Sequence, residues 1–271
     1  MSHLFVSVLL LSFFAIQTST MAHDEKKSLT ADEIISRHLE AAGGKEALAG
    51  FRSRIAVGSV KKDNDAAVQM AIVSEFPDKV SAVYVFEKYD WQLTYDGKQP
   101  FLRPLFPRDL APIQDKIQDM LASGVMFNGI SLYNVLLNSQ SYGAKFEAKG
   151  TKKIKDRLAY VVEMKRPKVA PARLYFDAET FMWIRTDYGR ASISKPMGQF
   201  TNAVVPHGED ELSVDFYFET SDFRDVDGVK LPFKFEQVVT FPIIHQKKVG
   251  TITATITEYR HNAAIDPKMF R

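Results

Sequence analysis

The chain has 271 residues, no cysteine, 45% hydrophobic residues and a formal net charge of +2. That composition suits a globular protein with a sizeable core. It excludes disulfides, a thiol nucleophile, a Cys-held metal and a lipid-modified N-terminal Cys, and the charge gives no basic stripe of the kind nucleic acid demands.

The first element is an apolar run, Leu4 to Ile16, with small residues Thr20 and Ala22 behind it. It has signal-peptide length and is short for a membrane span. Residues 1–22 are therefore expected to be a cleaved export signal, and 23–271 a single soluble domain. Export without cysteine favours a bacterial periplasm.

SLTADEIISRHLEAAGG follows. Thr30 and Glu33 are spaced as a capping box, and Ile34, Ile35, His38, Leu39 and Ala42 make one helical stripe. Gly43-Gly44 stops the helix, and KEALAGF predicts a second, short one. From Arg54 the pattern turns to strands: RIAVGSVKK, AVQMAIVSEF, KVSAVYVFEK and WQLTYDG, with turns at 77–79 and 95–98.

Residues 101–142 read as a helical insertion. Leu110, Ile113, Ile117 and Met120 fit an amphipathic helix, either a core plug or a lid hinged at Gly124 and Gly129. SLYNVLLNSQS is a further short helix. Two hairpins come next, KFEAKGTKKIKDRLAYVVEMKR and ARLYFDAETFMWIRTDYG. The segment 194–211 is irregular. LSVDFYFETSDF, VKLPFKFEQVVTF and VGTITATITEYRHN complete the chain as long strands, with DFRDVDG as a turn.

Strand side chains alternate between faces. Phe216 and Phe218, then Leu231, Phe233 and Phe235, then Ile252 and Ile256 each fall on one face of their strand, with Gln237 interrupting. Short connections make these strands neighbours, so the apolar sides coalesce. The expected fold is α+β and mostly β: a large curved antiparallel sheet, an incomplete unclosed barrel, with a few helices over its concave face. That face is either ordinary core or the wall of an apolar ligand site.

Chemistry-bearing motifs are sparse. His23, His38, His207, His245 and His261 have no metal-ligand spacing. The nucleophile elbow G-x-S-x-G and phosphate-binding glycine loops are absent. Acids at 209–211 and 222–227 fall at expected turns. The basic cluster KGTKKIKDR with KRPK reads as a solvated hairpin tip, or as a contact for anionic head groups at a membrane. No cofactor, metal or nucleic acid is implied.

Four segments together resemble the outer-membrane lipoprotein-sorting family of LolA/LolB-like carriers. They are LTADEIISRHLEAAGGKEALAGFRSRIAVGSV, FEAKGTKKIKDRLAYVVEM with LYFDAETFMWIR, FRDVDGVKLPFKFEQ, and ITEYRHNAAIDPKMF. The resemblance implies a half-barrel closed by helices and a periplasmic, non-enzymatic carrier. Its partners would be lipid or lipoprotein acyl chains, with transient contact to a membrane surface or a membrane-bound donor or acceptor. On that reading Phe216, Phe218, Leu231, Phe233, Phe235, Ile252 and Ile256 line the cavity and Leu110, Ile113, Ile117 and Met120 the lid. The alternatives are an envelope sensor or protein-binding scaffold on the same fold, and a hydrolase with dispersed residues.

Overall fold

The computed structural model describes residues 28–85, 90–98, 100–103, 128–167, 169–194, 211–241 and 247–270. Helix α1 spans Ala31–Ala41. Its capping box is complete: Glu33 N donates to Thr30 Oγ1 at 3.2 Å, and Thr30 N donates to Glu33 Oε2 at 2.8 Å. Gly43 ends the helix with φ +118°, and a Cβ there would lie 2.3 Å from the Gly228 carbonyl oxygen. Only glycine fits that backbone angle and that approach. Helix α2 is Lys45–Ala49 and helix α3 is Asn128–Leu137.

The strands are β1 Ser53–Lys62, β2 Val68–Glu75, β3 Lys79–Val85, β4 Asp90–Tyr95 and β5 Pro100–Arg103. They continue with β6 Lys145–Ile154, β7 Arg157–Arg166, β8 Val169–Asp177 and β9 Trp183–Ser194. The last are β10 Glu211–Val226, β11 Val229–Phe241 and β12 Lys247–His261. All twelve belong to one antiparallel sheet in the order β5-β4-β3-β2-β1-β12-β11-β10-β9-β8-β7-β6. Successive strands are neighbours, β1 pairs with β12, and the sheet stays open between β5 and β6.

The sheet must curl. One apolar cluster joins α1 to Met70 on β2 and to Val162 and Met164 on β7. These strands lie seven steps apart in the order, about 34 Å on a flat sheet at about 4.8 Å per step. The chain just after α3 bridges the same distance. Tyr142 OH donates to Pro77 O at the β2–β3 turn (3.0 Å). A Cβ on the next residue, Gly143, would lie 3.0 Å from Pro167 at the β7–β8 turn.

Two expectations are corrected. Residues 101–103, placed at the start of the helical insertion, belong to strand β5, with Phe101 paired to Thr94 and Leu102 to Leu93. The short YDGK turn lets these residues fold back on β4 ahead of Pro104. DFRDV, expected as part of a turn, is the last stretch of β10: Arg224 pairs with Leu231 and Asp225 with Lys230. Asp222 and Arg224 pair with each other at 2.6 Å, so exposed acids here decorate a strand rather than mark its end. The amphipathic helix at 110–121, the 194–211 segment apart from its first and last residues, and the leader at 1–22 lie outside the described residues.

Candidate functional site on the concave face

Register fixes what faces the helices. Phe235 sits opposite Ala254, and Gln237 opposite Ile252 and Phe218. Ile256 pairs with Gly58, and Ala254 with Val60. The apolar positions expected to share one face therefore form a continuous surface across β10, β11, β12 and β1, with Gln237 as its polar interruption.

That surface has two unlike ends. Near α1 it is solid core. Leu231, Phe233 and Ile256 are buried there with Trp183, Phe176 and Leu174, and Phe218, level with Gln237, is buried as well. Phe233 meets Tyr259 edge-on at 5.1 Å. Phe235, Ala254, Val60, Ile72 and Tyr84 pack against that core yet are only half-buried, as is Ile252. Of the seven residues expected to line a cavity, four are thus in closed packing and two are on the half-open part. Phe216 pairs in register with Val239, and its side chain is outside the described ones. The lid residues Leu110, Ile113, Ile117 and Met120 are not described.

Polar groups thread the closed end. His38, on the apolar stripe of α1, has no exposed surface. Its Nδ1 lies 2.9 Å from the Phe181 carbonyl, which only accepts, so Nδ1 carries the proton. Its ring stacks on Tyr133 at 5.5 Å, and its Nε2 has no partner. Burial lowers the imidazole to about 4, with the Phe181 bond opposing. His38 is neutral at pH 7.

Sequence reasoning missed Arg54. It shares the parity of Ala56 and Val60, and so faces inward on β1. It is 2% exposed. Its Nε donates to His261 Nε2 at 2.9 Å, and His261 Nδ1 donates to Asp227 at 2.8 Å. His261 stacks on Phe51 at 3.7 Å. Burial lowers its pKa, the Asp227 hydrogen bond opposes the shift and the Arg54 charge reinforces it. An Asp–His pair ending on an arginine leaves the imidazole no nitrogen with which to activate a hydroxyl. Among the described residues, no group of three or more His, Cys, Asp or Glu is placed to hold a metal.

The basic cluster is partly neutralised. Lys149 and Lys165 pair with Glu147 and Glu163, Lys155 with Glu219, and Arg157 with Asp177. On the convex face Arg185 stacks over Tyr217 at 3.5 Å and is flanked by Asp187 and Glu219. No described helix is long and apolar enough to cross a membrane.

No family model and no curated protein matches the chain. Solved structures that resemble it include the family the sequence resembles. A LolA superfamily protein from Nitrosomonas europaea is 11% identical, with a TM-score of 0.49, over 90% of this chain and 98% of that one. A domain described as a candidate outer membrane lipoprotein-sorting protein, from Vibrio parahaemolyticus, is 11% identical, with a TM-score of 0.46, over 87% and 97%. A DUF1329 family protein from Desulfovibrio piger is 9% identical, with a TM-score of 0.45, over 89% and 97%. At such identities and scores the likeness says nothing of what this chain binds.

Proposed function

We propose that the chain is a non-enzymatic binder or carrier of acyl chains, from lipids or lipidated proteins, exported to the periplasm by residues 1–22. The observation that carries this reading is the half-buried stretch of the concave face formed by Phe235, Ala254, Val60, Ile72 and Tyr84. It continues the core without being closed by it. An acyl chain laid along it would gain about 0.8 kcal/mol for each methylene removed from water. No bond is made or broken, so release needs only an acceptor with a better apolar surface. The segment 110–121, with Leu110, Ile113, Ile117 and Met120, is proposed as the cover for that chain.

The test is native and denaturing mass spectrometry of the full chain, exported and gently purified from a bacterial periplasm. Near-stoichiometric acyl species should co-purify. A folded protein that carries none, and takes up neither added lipid nor lipopeptide, would defeat the reading in favour of a protein-binding scaffold.

A further inference from the structure

Arg54 is a buried cation with no anion beside it among the described residues. Among the described residues no carboxylate lies within ion-pair distance of its guanidinium, whose one hydrogen bond runs from Nε to the neutral His261. The Phe76 ring lies 5.4 Å away. The nearby phenols Tyr133 and Tyr259 give their protons to the Lys230 and Pro232 carbonyls at 3.2 and 2.6 Å. Arg185 on the convex face shows the contrast, since two carboxylates flank it. Directly opposite Arg54 in the β1–β2 register stands Ser74. It is 1% exposed, and its hydroxyl also lacks a partner. Cross-strand neighbours on one face hold their Cβ atoms about 5 Å apart. A buried cation and a buried, unpartnered hydroxyl therefore stand opposite each other on the inward face of adjacent strands.

Such a pair is costly in an empty protein, because buried charges are ordinarily matched. It is well suited to an oxyanion, which accepts charge-assisted hydrogen bonds from a guanidinium and a hydroxyl together. The spot also lies at the start of the apolar path. On β2 the next inward residue after Ser74 is Ile72, and Tyr84 pairs with Met70 beyond it; Ile72 and Tyr84 are half-buried. Helix α3 and the turn after it pack here: Tyr133 and Asn134 on the helix, and Tyr142 beyond it, bond the Lys230 and Pro77 carbonyls through their side chains.

We propose that Arg54 and Ser74 seat the anionic head, carboxylate or phosphate, of a single-headed amphiphile whose hydrocarbon part lies along Ile72 and Tyr84. α3 lifts to admit it. This rests on the acyl-binding reading and narrows it to acidic lipids.

The test compares palmitate with hexadecanol by titration, and inorganic phosphate by thermal shift, on the full chain and its Arg54→Met and Ser74→Ala variants. Palmitate should bind about tenfold or more tightly than hexadecanol, the scale of one charge-assisted hydrogen bond. Arg54→Met should bring the two to equal affinity with hexadecanol unchanged, and Ser74→Ala should weaken palmitate severalfold. Equal binding of both chains by the unmodified protein would overturn the head-group site while leaving acyl binding intact. If neither chain binds, acyl binding itself fails. The anion seat then survives as a site for free phosphate only if phosphate raises the melting temperature of the unmodified protein and not of Ser74→Ala. If Arg54→Met does not fold, the palmitate preference of the unmodified protein and its loss in Ser74→Ala decide.

Discussion

The two ends of the concave face are built from the same residue types and behave differently. Around α1, Leu231, Phe233, Trp183 and Phe176 are sealed by a helix held at both termini. Its start is held by the Thr30–Glu33 box, and its end by the Gly43 approach to Gly228. Toward Phe235, Ala254 and Val60 the same strands carry on with the same alternation, and the residues stay half-buried. Alternation therefore tells which face a side chain joins. How much of that face is filled depends on where the few helices sit.

The sharpest way to break this comparison is to truncate a side chain at each end. Leu231→Ala should cost about 2–5 kcal/mol in urea unfolding, the usual range for a buried leucine. Phe235→Ala should cost clearly less, and a cost equal to that of Leu231→Ala would erase the distinction between the ends.

Acid should loosen the closed end through His38. Its folded pKa, about 4, is below the ordinary 6.5. Below pH 6.5 the unfolded chain takes up a proton that the folded one refuses, so stability falls with pH until about 4 and then levels. At about 1.4 kcal/mol per pH unit this amounts to about 3 kcal/mol. Urea unfolding at pH 7 and pH 4.5 should show a drop that His38→Phe largely removes. An unchanged drop would mean that His38 takes up its proton in the folded state.

Smaller effects come from the ends of α1. Gly43→Ala should destabilise by about 2 kcal/mol or more, since it combines a left-handed backbone with a clash against backbone. Thr30→Ala should cost about 1 kcal/mol. Both should leave Phe235 as accessible as before. A change in binding at Phe235 with either variant would show that α1 reaches the open end.

Much of this architecture was legible in the sequence. T-A-D-E before an apolar stripe announced α1, and the alternation in LPFKF gave the inward face of β11. Pairing of β1 with β12 was not legible, because nothing local links residues 53–62 to 247–261. Strand β5 was hidden by the prolines that follow it. The end of β10 looked like a turn because its Asp and Arg residues pair with each other on an exposed face. Arg54 was readable only by parity with Ala56 and Val60, and an arginine at the edge of a strand is ordinarily solvated. Alternation and register place Phe218, Leu231, Phe233, Phe235, Ile252 and Ile256 on one face. Sequence could not say that Phe233 would be sealed and Phe235 left half-open, since that depends on how far α1 reaches.

The central claim is that the half-open end, not the sealed one, receives an acyl chain. Its most direct test is the dissociation constant of a fluorescent fatty acid for the unmodified protein, Phe235→Glu and Lys234→Gln, each checked for folding by circular dichroism. Lys234 alternates with Phe235 along the strand and pairs with Glu236. Phe235→Glu should weaken binding by about tenfold or more, the cost of placing a carboxylate against apolar carbon, while Lys234→Gln leaves it unchanged. Equal binding by all three folded proteins would contradict the account.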